Sequence, residues 1–160
     1  MMAHWSARGF ALLEALIACM LMATAVAALV HLVMLATTQS LAMRRSATAV
    51  VLAQAKLEEL RGLLWGYDEA GVPIGSPQLD TSPPSTLTNS IDGWMEVFDR
   101  FGDPVDEEEA AGFERRWSIG RFNAADPDTL VLQVCVFVRD GAPAGVLADA
   151  CVQAIRTRQP

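Results

Sequence analysis

The chain has 160 residues, enough for one small domain plus an anchoring segment but not for two domains. Its 19 acidic residues against 12 basic ones leave a formal charge of −7, which argues against nucleic-acid binding, since phosphate contacts need a basic face. Acidity of this size bears on solubility and association, not on fold.

The first predicted element is the most distinctive. Residues 8–14 read Arg8-Gly9-Phe10-Ala11-Leu12-Leu13-Glu14. From Ala15 to Ala36 the only polar side chains are Thr24 and His31, with Cys19 as a soft, apolar-like residue. About 20 apolar residues, at about 1.5 Å rise each, cross a hydrocarbon core of about 30 Å, so this run is long enough to span a bilayer. Glu14 stands at its mouth. A carboxylate at the edge of hydrocarbon is costly without a cationic partner, and this makes Glu14 a functional candidate. A secretory signal peptide has a shorter apolar core, although Ala23-Thr24-Ala25 and Ala25-Val26-Ala27 satisfy its cleavage rule. A plain signal anchor fits the length but gives no reason for a Glu four residues after a Phe. A helix apolar on every face is not a surface helix of a soluble domain.

Gly9, Phe10, Leu12 and Glu14, followed by the apolar run 15–36, resemble the class III signal of the type IV prepilin and pseudopilin family. The resemblance implies cleavage between Gly9 and Phe10 by a membrane-embedded prepilin peptidase, with methylation of the new amine on Phe10. It also implies roles for Leu12 and Glu14 in assembly. The family keeps its leader in the cytoplasm. The flanking charges, Arg8 before the run and Arg44 and Arg45 after it, favour the opposite orientation by simple count. Major pilins also carry a Pro about twenty residues into the mature chain. Here there is none between Phe10 and Leu64, and His31 stands near that place, which predicts a continuous helix and tilts the reading towards a minor pilin or pseudopilin. His31 itself reads as a packing or interface residue.

The helix is expected to continue past the membrane. Val50, Ala53, Leu57, Leu60 and Leu64 recur at spacings of three and four and draw one apolar stripe, with Lys56, Glu58, Glu59 and Arg61 largely off it. Residues 52–61 also resemble the second helical half of PilV-type minor pilins. Gly62 and Gly66 weaken the pattern, and Pro73, Pro77, Pro83 and Pro84 end it. The segment from Gly66 to Asn89, rich in Gly, Pro, Ser, Thr and Asp, reads as a long surface loop.

Strands are predicted at 93–98, 116–122 and 130–139, the last the strongest because of its β-branched run Leu-Val-Leu-Gln-Val-Cys-Val-Phe-Val. Arg115-Arg116-Trp117-Ser118-Ile119 also resembles the central strand of PilV-type minor pilins. Residues 146–155 are a hairpin partner for 130–139 across the turn 140–145, although their Ala content leaves a helix open. If that turn is centred on Pro143, Cys135 faces Cys151 and Gln133 faces Gln153, at a Cα separation that a disulfide can bridge. An oxidising compartment favours the bridge. The alternative is a buried free Cys135 and an exposed Cys151. Cys19 reads as packing within the span.

Catalytic chemistry is not legible. His4 falls in the leader and His31 in the apolar run, so no Ser-His-Asp set, Cys-His set or His-containing zinc site can be assembled in the exported part. The acidic run Asp103-Pro104-Val105-Asp106-Glu107-Glu108-Glu109 lacks EF-hand spacing and its Gly, and reads as a solvated loop. Trp94, Trp117, Phe98 and Phe101 read as core or interface anchors.

These features predict an α+β, pilin-like fold. A leader at 1–9 is followed by a transmembrane half-helix at 10–36, an exported amphipathic half at 37–65, and a loop with a small antiparallel sheet at 66–160. The expected function is structural: a minor pilin incorporated into, or priming, a type IV pilus. The alternatives are a minor pseudopilin of a type II secretion system and a membrane-anchored periplasmic protein of another kind. The implied partners are other pilin or pseudopilin subunits, the prepilin peptidase and the inner membrane. Neither a cofactor nor a metal is expected, and no enzymatic activity.

Overall fold

A single helix, α1 (Arg8–Gly62), takes up the first third of the chain, as a segment free of proline allows. The computed structural model describes residues 8–106, 111–139 and 147–159. Residues 1–7 of the expected leader, the acidic residues 107–109 and the expected turn at 140–145 lie outside it. The chain divides into two units, Met1–Met43 and Arg44–Pro160, so the division falls within α1.

In the first unit every described side chain from Leu12 onward is exposed. The helix contains an 18-residue window of mean hydropathy 2.4, none of it buried within the chain. It is a candidate membrane anchor by length and composition. The three threonine hydroxyls of this unit suit an apolar setting, because each finds an acceptor inside the helix: Thr24 Oγ1 donates to the Leu21 carbonyl at 2.9 Å, Thr37 Oγ1 to that of Met34 at 2.8 Å and Thr38 Oγ1 to that of Leu35 at 2.9 Å.

In the second unit, α1 lies against a four-stranded antiparallel sheet of order β3 (Met95–Phe98), β4 (Phe113–Asn123), β5 (Asp126–Val138) and β6 (Ala150–Thr157). Strand alternation decides what the helix meets. Leu130, Leu132, Val134 and Val136 of β5 are buried and share a face with Phe113, Trp117 and Ile119 of β4 and with Ala150 and Ala154 of β6. Ala49, Leu52, Ala53, Leu57 and Leu60 of α1 close this core. Removing a side chain such as Leu60 or Val134 from water contributes roughly 1.5–3 kcal/mol.

The buried face of α1 differs from the expected stripe. Val50 and Leu64 are 37% and 59% exposed, whereas Ala49 and Leu52 are buried. Lys56, expected off the stripe, is only 6% exposed, because it lies over the Trp117 ring while its charge is met by carboxylates. The helix also stops at Gly62, short of the expected 65.

Residues 66–89 are not one long loop. Trp65–Tyr67 (β1) and Pro73–Gly75 (β2) pair as a small antiparallel hairpin, followed by a 3₁₀ turn at Pro77–Leu79. The Asp68 carboxylate shapes the hairpin loop by accepting from the amides of Ala70 at 2.9 Å and Val72 at 2.7 Å. The remaining elements lie where strands were expected, β4 beginning three residues and β5 four residues earlier than predicted.

Candidate functional site

The N-terminal motif opens α1. Gly9 and Phe10 lie in its first turn and Glu14 one turn beyond Phe10. Around Glu14, the large side chains Leu12, Leu13, Leu16 and Ile17 are 75%, 59%, 59% and 49% exposed. Among the described residues nothing forms a hydrogen bond or ion pair with the Glu14 carboxylate. A charge on an otherwise apolar, uncovered helix can do one thing at low chemical cost, which is to accept a cation from outside the described chain. Leu12 and Glu14 therefore stand on an exposed helix surface, and among the described side chains neither is joined to another predicted site residue.

Cys135 and Cys151 are joined by a disulfide, with Cα atoms 4.2 Å apart. They face each other across the β5–β6 ladder, as do Gln133 and Gln153. Cys135 is buried and Cys151 exposed, so the bridge clips the edge strand β6 to its neighbour on the sheet face away from α1. Cys19 is free and exposed on the apolar helix.

Two buried charge clusters hold the second unit together, and sequence reading missed both. In the first, Lys56 Nζ donates to Glu59 Oε1 and Glu96 Oε1, each at 2.9 Å, and lies 4.2 Å above the Trp117 ring. Arg115 bonds the same Glu96, donates to the Leu52 carbonyl at 2.8 Å and stacks over Phe98. Burial pushes the Glu96 carboxyl up, but hydrogen bonds from Lys56 and Arg115 outweigh it and hold the group below its ordinary value.

The second cluster lies on the other sheet face. Glu114, 1% exposed, accepts from Arg116 Nε at 2.7 Å and Ser90 Oγ at 2.6 Å, with Arg139 Nη1 3.6 Å away. Arg116 also reaches the Leu87 carbonyl at 3.3 Å, so the cluster ties segment 87–90 to the sheet. Its carboxyl is likewise pushed up by burial and pulled further down by the hydrogen bonds from Arg116 and Ser90. The sequence signal for both clusters was slight: alternation puts Glu114 and Arg116 on one sheet face and Arg115 on the other. Spacing pairs Lys56 with Glu59 and Glu114 with Arg116, but nothing in it names Glu96, Ser90 or Arg139 as partners.

Trp117 and Phe98 belong to the core and Trp94 packs against it, whereas Phe101 is 72% exposed. Among the described residues no group of three potential metal ligands is found. No protein-family model, no curated protein and no solved structure matches the chain.

Proposed function

We propose that this chain is a minor type IV pilin, a structural subunit that is processed after Gly9, held in the inner membrane by α1, and then assembled into a filament. The observation that carries the reading is the sequence Gly9-Phe10 with Glu14 at the head of a helix whose next three turns and more are apolar and wholly uncovered. Such a surface needs lipid or other helices around it, and a filament of bundled helices supplies the second once the subunit leaves the first. The layout of the second unit supports the same reading: the C-terminal part of α1 lies on a small antiparallel sheet, with Cys135 and Cys151 bridged near the C-terminus. In this reading the sheet domain is periplasmic, the partners are other pilin subunits and the prepilin peptidase, and the chain performs no chemistry of its own.

Processing is the test. The mature protein should begin at an N-methylated Phe10 by mass spectrometry, and Gly9→Val should leave the full-length chain in the membrane, because a Cβ branch blocks a peptidase pocket shaped for glycine. A mature chain beginning near Ala28 would establish a secretory signal peptide and end this reading.

A further inference from the structure

A cleft of about 280 Å³ opens in the second unit, lined by Lys56, Glu59 and Leu60 of α1, Gln78 of the 3₁₀ turn, and the side chains of Trp94 and Trp117. The two indole rings lie 6.3 Å apart, tilted at 45°. Neither indole N–H has an acceptor among the described residues, although Trp117 is only 7% exposed, and neither nitrogen is sealed from solvent. Trp65, by contrast, gives its N–H to the Asp128 carbonyl at 3.0 Å. The cleft thus offers indole N–H donors that no described protein group uses, beside an apolar wall.

Its charges select the ligand class. Lys56 and Arg115 are balanced by Glu59 and Glu96 within one bonded network, so the cleft holds no surplus charge. A cation entering it meets the Lys56 ammonium already seated over Trp117, and an anion meets Glu59. What remains open for bonding is neutral or half-used: the Gln78 amide N–H₂, the second oxygen of Glu59, and the two indole N–H groups. An aliphatic side chain would cover these groups without bonding them, at a desolvation cost for each.

We propose that this cleft binds one ring of a neutral saccharide. A sugar ring has an apolar C–H face to lie against Trp94 and hydroxyls that both donate to Glu59 and accept from Gln78 and the indole nitrogens. The assignment is independent of the filament reading, since every residue that lines the cleft belongs to the second unit.

The test uses the full chain in a detergent without a sugar headgroup, titrated with glucose, galactose, mannose, N-acetylglucosamine and their disaccharides. Saturation-transfer NMR should show contact through ring C–H protons for at least one of them, with binding in the millimolar range. Trp94→Ala should weaken that binding by about tenfold or more and Trp94→Phe by less. Because Trp94 packs against the core, Trp94→Ala is expected to unfold at lower temperature and is compared below its own unfolding transition. Gln78→Ala, at an exposed position, gives a second variant that leaves the core alone and should weaken binding severalfold. No transfer to any neutral sugar, wild-type affinity in both Trp94→Ala and Gln78→Ala, or tighter binding of an anionic or cationic sugar would each overturn the proposal.

Discussion

Arg156, on the last strand, donates from Nη1 to the carbonyl oxygen of Leu60, 2.7 Å away and 96 residues earlier in the chain, and from Nη2 to that of Leu63. The last carbonyls of a helix have no partner within it, and they carry the negative end of the helix dipole. A guanidinium at that point meets both needs, so β6 caps α1. Arg156→Ala should lower stability by about 1–3 kcal/mol in denaturant unfolding, with faster amide exchange concentrated at residues 60–64. Unchanged exchange there would show that water caps the helix as well as Arg156 does.

The same strand is held from its other end by the disulfide. With the two cysteines 16 residues apart, chain-entropy arguments place its contribution at about 3 kcal/mol. A Cys135→Ala, Cys151→Ala double variant should unfold at correspondingly lower denaturant and lose amide protection first in β6. Non-reducing mass spectrometry of the native protein should find the two peptides linked. Free alkylation of both thiols would contradict the bridge.

Acid should weaken both charge clusters, the one between helix and sheet and the one that ties segment 87–90 to the sheet. The Glu96 and Glu114 carboxyls are both held below the ordinary value of 4.5, so at acid pH the folded chain binds fewer protons than the unfolded chain. Their contribution is complete above about 4.5 and drains away as pH falls through the lowered folded values. Thermal unfolding followed from about pH 7 down to about pH 3 should show this loss. Glu96→Gln should start less stable at neutral pH and lose less on acidification, because it has already given up one carboxylate. A Glu96→Gln variant with the wild-type slope would assign the acid sensitivity elsewhere.

Glu14 offers the sharpest test of assembly. A lone carboxylate costs roughly 2.5–3.5 kcal/mol at the bilayer centre on insertion scales, and in the pilin reading proposed above the amine of a processed Phe10 on a neighbouring subunit would remove much of that cost. Glu14→Gln should be cleaved and inserted normally yet be depleted severalfold from sheared filaments. Wild-type incorporation would reduce Glu14 to a residue read only by the peptidase.

Local pattern determined much of this protein. The apolar run and the absence of proline determined an uninterrupted helix, because helix continuity depends on backbone hydrogen bonding that only proline interrupts outright. Period-two alternation, with a turn centre assumed at Pro143, placed Cys135 opposite Cys151, because in an antiparallel pair one known point sets every other pair. Tertiary structure decided the rest. Which of two adjacent helix faces is buried depends on where the sheet sits, and so Val50 lost its place to Ala49. Lys56, expected off the apolar stripe, is buried because the fold brings Glu96 to it from 40 residues away, since burial of an ion is tolerated only when it is paired. The β1–β2 hairpin is three residues to a strand and too short to be stable alone; Arg158 over the Trp65 ring and the Trp65 bond to Asp128 hold it, and both come from the far end of the chain.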